Sequence, residues 1–261
     1  MVLKKKNIHP LTLFAKTDKG IERSTNEDSI ATIVIESHSF SNELSCGILV
    51  VADGMGGHEK GEIASDIASK KFIKEVVQSI IQTSASIEKI KFRDILTKSI
   101  EAANDEVLKL SESVLNSVGT TIVGAIIVDN HIFIANVGDS RAYLVTPKKS
   151  ITQLTKDHSA VQEMLEANII TKEQAINHPR RNILTKALGL AKEITPDIFE
   201  ADIKGKTLLL CSDGLYSMID EKEIIKAISK NIYDSAEALI SLANKRGGSD
   251  NISVALAKYQ D

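Results

Sequence analysis

Four aspartates stand where apolar segments stop. Leu49-Val50-Val51-Ala52 runs into Asp53-Gly54, and Leu208-Leu209-Leu210-Cys211-Ser212 runs into Asp213-Gly214. Asn136-Val137-Gly138 leads to Asp139, and Ser249-Asp250-Asn251 directly precedes Ile252-Ser253-Val254-Ala255. A carboxylate delivered at the end of a buried strand must be solvated, hydrogen-bonded or neutralised. Where several such ends meet, repulsion drives protons onto some of them unless a cation binds among them. Oxygen donors with no His or Cys beside them suit Mg²⁺ or Mn²⁺. A plainer reading stands beside this one, since Asp-Gly is a common turn dipeptide and Asp a good helix N-cap. A hairpin, however, would be followed by a second alternating strand, and Asp53 leads into a helical pattern instead.

The run Gly54-Met55-Gly56-Gly57-His58-Glu59-Lys60-Gly61 has the look of a phosphate-cradling loop. It lacks the Gly-Lys-Ser/Thr ending of a P-loop and the spacing of a dinucleotide fingerprint. Its glycines are better suited to bringing backbone close to a bound ion while the chain turns into a helix. The Gly54 carbonyl is then a candidate ligand.

The elements that carry these residues are legible from period. Strands are expected at Ile30–Ile35, Gly47–Ala52, Thr120–Val128, Ile132–Val137, Arg141–Val145, Thr207–Ser212 and Ile252–Ala257, all β-branched or apolar. Asp129-Asn130 between two of them is a hairpin-type connection, so part of the sheet is antiparallel. In Gly61–Gln82, Ala64, Ala68, Phe72, Val76 and Ile80 recur every fourth position; Phe92–Leu110 carries a similar stripe. Both are amphipathic helices. A second helical pair is expected at Glu221–Ser229 and Ser235–Lys245. Clustered strands and paired helices favour α+β layers over a doubly wound parallel sheet.

Composition removes other classes. With 43% hydrophobic and 26% charged residues, the chain is globular rather than disordered. Its longest apolar stretches, such as Thr121–Val128, fall far short of the ~18 residues needed to span a bilayer. Lys4-Lys5-Lys6 is followed by Asn-Ile-His-Pro rather than by an apolar core, which argues against a secretory leader. A net charge of −3 gives no electrostatic footprint for nucleic acid. Cys46 and Cys211 sit in apolar runs and read as small buried residues of a reducing compartment. One domain over 1–261, in the cytoplasm and monomeric, is expected.

Six short segments, in order, carry a family resemblance. They are Gly20-Ile-Glu-Arg23-Ser-Thr-Asn26-Glu27-Asp28, Val51-Ala-Asp53-Gly54-Met-Gly-Gly, Gly119-Thr120-Thr121, Asn136-Val-Gly-Asp139-Ser-Arg141, Cys211-Ser-Asp213-Gly214-Leu and Ser249-Asp250-Asn251-Ile-Ser. Together they resemble the metal-dependent protein phosphatases, the PPM or type 2C class, in their compact bacterial form. The match spans roughly Leu11 to Lys258. The resemblance implies a four-layer α/β/β/α sandwich of two antiparallel sheets flanked by helix pairs, with a two-metal site at one sheet edge. It implies a protein serine/threonine phosphatase that hydrolyses phosphoserine or phosphothreonine by attack of a hydroxide bridging two Mn²⁺ or Mg²⁺ ions. Its substrates would be phosphorylated proteins made by a Ser/Thr kinase, with no nucleic acid and no membrane partner.

Carried across position by position, Asp53 would bridge the metals and the Gly54 carbonyl would bind the second. Asp213 and Asp250 would hold the first. Glu27 and Asp28 would act mainly through metal-bound waters, and Arg23 would clamp the substrate phosphate. Asp139, with Asp213, resembles the pair that holds a third metal in bacterial members. Met55 stands where many eukaryotic members have a histidine proposed as general acid, which leaves that role unassigned; His58 is either part of the bacterial Gly-Gly-His pattern or a helix-ordering residue. Residues 155–189 correspond to the bacterial flap, whose Arg180 and Arg181 either steer a phosphopeptide or are simply solvated. Gly119-Thr120-Thr121, Ser140 and Arg141 are expected to be structural. Two rival readings are an inert relative used as a binding module, disfavoured because every expected Asp is present, and a phosphatase acting on a phosphorylated regulator or small phosphoester.

Overall fold

In each central strand, alternate side chains serve different cores. This computed structural model describes residues 11–38, 43–56, 60–82, 90–113 and 118–259. One sheet is ordered β1 (Leu11–Asp18), β11 (Ile252–Tyr259), β10 (Thr207–Cys211), β7 (Arg141–Thr146) and β8 (Ser150–Gln153). The other is ordered β2 (Asp28–His38), β3 (Glu43–Met55), β5 (Ile122–Val128), β6 (His131–Val137) and β9 (Asp197–Asp202), with β4 (Gly119–Thr120) pairing the end of β3. The paired strands run antiparallel.

From β3, Ile48, Val50 and Ala52 face α1 (Lys60–Gln82) and α2 (Phe92–Glu112), where they meet Ala68, Phe72 and Leu96. Leu49 and Val51 point the other way, into a core shared with Leu208 and Leu210 of β10 and Ala255 of β11. From β10, Leu209 and Cys211 face α5 (Asp213–Tyr216), α6 (Glu221–Ala227) and α7 (Ile232–Lys245), against Leu215, Ile224 and Leu239. Three apolar interfaces separate four layers, helices outside and two sheets inside. The period-2 alternation of a strand buried on both faces gives this arrangement. The four-layer α+β expectation is met.

Several element bounds differ from the sequence expectation, each for a local reason. β1, β8 and β9 were not anticipated; β8 and β9 are edge strands with polar ends, and β1 closes the first sheet against β11. β3 continues past Ala52 because Gly54 and Met55 pair with Thr120 and Gly119 of β4. The expected strand Thr120–Val128 is broken at Thr121, whose backbone N–H donates to the Asp53 carbonyl at 2.8 Å. The hairpin at Asp129-Asn130 is present, with Asp129 at φ 50°. Among the described residues, no helix is long and apolar enough to cross a membrane.

The segment after β8 holds α3 (Ala160–Glu166) and α4 (Lys172–Ile176). Thr171 and Gln174 form a capping box at the start of α4, and Ser159 caps α3. The segment is closed at its root, where the Thr185 N–H donates to the His158 carbonyl at 2.9 Å. Asn104 of α2 fastens the exit, accepting the Gly189 N–H and donating to the Ala191 carbonyl, both at 2.9 Å.

Candidate active site

The two sheets bring the aspartates to one edge. Asp28 opens β2 directly across from Asp53 in β3, so the register itself makes a like-charge cross-strand pair. Asp213 is the first residue of α5, one residue beyond β10, and lies close enough to Asp53 for their charges to repel. Asp250 lies just before β11, and Asp139 just after β6. In the native state such a constellation costs free energy. Burial and the neighbouring charges of Asp28, Asp213 and Asp139 push the Asp53 carboxyl well above the usual range. Burial, then Asp213 and Asp250, raises Asp28 to about 7, although hydrogen bonds from Ser253 and Ser212 oppose the rise. Asp139 is pushed up to about 7 by burial and by Asp213, and Asp213 to about 6 by burial and Asp250. Glu27 is raised by burial, partly offset by Arg23.

The backbone around these carboxylates is tightly held. Gly54 donates to the Glu27 carbonyl at 3.0 Å, and a Cβ at Gly54 would fall 2.1 Å from the Gly61 carbonyl oxygen. Only glycine lets the start of α1 approach this closely. The Glu27 side chain lies over Gly61, 2.6 Å from where a Cβ would stand. Gly138 takes φ +108° against the Thr121 side chain, turning the chain so that Asp139 follows β6. The Asp53 carbonyl accepts from the Thr120 hydroxyl at 2.9 Å, and the Asp53 N–H donates to Thr121 Oγ1 at 3.1 Å.

Arg23 is exposed and ion-paired, its Nη2 lying 2.8 Å from Asp250 Oδ2. It therefore projects beside the acidic edge. Among the described residues no group of three or more carboxylate, imidazole or thiol side chains is drawn together tightly enough to hold a metal ion. Arg23 occupies Asp250. The donor set nevertheless fits a hard dication. Its charged side chains are all carboxylates, and Asp28 Oδ1 is buried with no hydrogen-bond partner.

Thus Asp28, Asp53, Asp139, Asp213, Asp250, Glu27, Gly54 and Arg23 share one region, while Arg180 and Arg181 sit exposed on the segment carrying α4. Arg181 donates to the Ile176 carbonyl. Met55 pairs with Gly119, and His58 lies outside the described residues. Two side chains without an expected role here matter locally. Ser212 donates to Asp28 Oδ2 at 2.7 Å. Asn251 accepts the Glu27 N–H at 2.8 Å and donates to the Lys19 and Thr25 carbonyls, both at 2.9 Å. An amide is needed there because one side chain must both accept and donate.

The family profile described as Protein phosphatase 2C matches residues 18–174. The serine/threonine phosphatase stp of Listeria monocytogenes is 40% identical over 249 residues, covering 93% of this chain and 94% of that one. Protein phosphatase PhpP of Streptococcus pneumoniae is 35% identical, covering 94% and 96%. Among solved structures, Stp1 from Staphylococcus aureus superposes with TM-score 0.82 at 33% identity, over 97% of this chain and 96% of that one. The catalytic domain of PstP in complex with two manganese ions gives TM-score 0.77 at 30% identity, over 96% and 99%.

Proposed function

The chain belongs to the protein phosphatase 2C family, and from that premise we propose that this serine/threonine phosphatase works by direct attack of water on the phosphorus, with no phosphorylated enzyme on the path. The observation that carries the proposal is the meeting of five aspartates from separate chain segments at one sheet edge, beside an exposed arginine. The family is metal-dependent, and the PstP neighbour was solved with two manganese ions. When bound, a pair of Mn²⁺ or Mg²⁺ ions supplies Lewis-acid activation of the attacking water near neutral pH.

The remaining work falls to this chain. Asp53, paired across the ladder with Asp28, would be a ligand shared by both cations, with the Gly54 carbonyl as a further donor to the second. Asp213 and Asp250 would hold the first cation. Glu27 and Asp28 would act through waters on the cations, and the Ser212 hydroxyl, donating to Asp28 Oδ2, would steady that carboxylate. Asp139 and Asp213 would form the pair for a third cation. Arg23 exchanges its bond to Asp250 for paired charge-assisted bonds to the substrate phosphate, offsetting charge that builds in the transition state. Neither cysteine offers a nucleophile. Both are buried, and burial pushes each thiol up to about 12.

The chain acts as one phosphatase unit with 155–189 as its flap, taking phosphorylated proteins made by a Ser/Thr kinase, as a cytoplasmic monomer. A test of the direct path is a single turnover on radiolabelled phosphothreonine protein, quenched in acid. All label is expected in substrate and free phosphate. Label retained on the enzyme would overturn the proposal.

A further inference from the structure

Beside the acidic edge lies an ion pair that the reaction does not use. Arg141, at the start of β7, grips Asp157 with a two-pronged contact: Nε lies 2.9 Å from Oδ1 and 3.1 Å from Oδ2, and Nη2 lies 2.6 Å from Oδ2. Its third nitrogen, Nη1, donates to the Tyr143 hydroxyl at 2.9 Å. Gln153 donates to Asp157 Oδ1 at 3.1 Å. The guanidinium carbon stands 3.6 Å from the centre of the Tyr216 ring. The Tyr216 hydroxyl then donates to the Asp139 main-chain carbonyl at 3.0 Å.

A buried ion pair gives little net stability over well-packed apolar side chains. Positioning accounts for this one better. α5 carries Asp213 at its first residue and Tyr216 at its last, so a bond from Tyr216 to Asp139 clips that helix to the end of β6. The other neighbours of Asp139 are fixed as well. The Gly138 N–H donates to His158 Nδ1 at 3.1 Å, and the Ser140 and Thr121 hydroxyls lie 2.7 Å apart.

We propose that Tyr216, braced by Arg141 and Asp157, is a positioning residue that sets the separation of Asp139 from Asp213, and so the affinity of the cation these two carboxylates hold. The proposal rests on the metal reading above. It also ties the flap's root to the site, since Asp157 and His158 lie together in the connection from β8 to α3.

The test is a calorimetric Mn²⁺ titration of the full chain, with thermal melts in parallel. In Tyr216→Phe the ring stays over Arg141 and only the hydroxyl is lost. One Mn²⁺ step, that of the cation held by Asp139 and Asp213, should weaken roughly three- to tenfold, the value of one hydrogen bond, with the other steps and the melting temperature little changed. Arg141→Lys keeps the charge without the fork and should weaken the same step. Arg141→Met should weaken it further. A general loss of stability with every Mn²⁺ step unchanged in all three would overturn the positioning role alone. No Mn²⁺ binding by the wild type would overturn that role together with the metal reading beneath it.

Discussion

Replacing Asp213 by Asn should make the metal-free protein more stable and, in the same step, remove its response to manganese. In the folded chain the Asp213 carboxyl is raised from 3.8 to about 6, by burial first and by Asp250 next. A folded pKa above the unfolded one means the native state binds the proton more tightly. The ionised form therefore destabilises the fold, increasingly as pH climbs from 3.8, until the cost levels off above 6. At pH 7.5 that cost is about 3 kcal/mol at most. An amide keeps the polar burial and loses the charge, so about half should be recovered, roughly 1–2 kcal/mol. For a chain of this size this corresponds to a rise in Tm of about 2–4 °C. Manganese at a hundredfold over its Kd should stabilise the wild type by about 2.7 kcal/mol and the variant by far less. The assay is a thermal melt in chelator and in manganese at pH 7.5, repeated at pH 4.5, where the chelator difference should shrink. A variant less stable than wild type in chelator at pH 7.5, or one keeping the full manganese shift, would refute the reasoning.

Three further outcomes follow from the same geometry. Because Asp28 and Asp139 hold protons up to about 7, cation binding must displace them; manganese affinity should rise by roughly tenfold for each such carboxyl that must lose its proton between pH 6 and pH 8, and a flat calorimetric profile would contradict this. Arg23→Ala should cut kcat/KM on a phosphothreonine peptide by roughly a hundredfold or more, the scale of losing a charged donor to the transferring phosphate, while manganese binding persists. Gly54→Ala puts a Cβ 2.1 Å from one backbone oxygen and 2.7 Å from another, neither free to yield; chemical denaturation should show a loss of about 2 kcal/mol or more.

Much of the site was readable because its residues end apolar strands. Leu49–Ala52 and Leu208–Cys211 are continuous β-branched or leucine runs, buried on both faces, and their terminal aspartates are visible without any structure. The helices α1 and α2 were equally clear, since each shows a single apolar stripe. β9 was not legible. Asp197-Ile-Phe-Glu-Ala-Asp202 is short, charged at both ends, and ordered by pairing with β6 and by packing of Ile198 and Phe199 into the cores on either face. Nor was the break at Thr121, which depends on Asp53, distant in sequence, claiming its N–H and hydroxyl. The same limit hid Ser212, Asn251 and Tyr216. Ser212 and Asn251 stand inside motif segments, but what matters in each of the three is a partner from another strand or turn that only the fold supplies. Arg141, expected to be merely structural, proves to be braced against that set.

The most direct test of the central claim is the initial rate of phosphothreonine-peptide hydrolysis against Mn²⁺ and Mg²⁺ concentration, with a chelator arm and Asp53→Asn in parallel. The wild type should turn over only with metal present, saturate with it, and stop in chelator, while Asp53→Asn, folded by its melt, should stay inactive at every metal concentration. Turnover that survives chelator, or an Asp53→Asn variant with wild-type activity, would contradict the account.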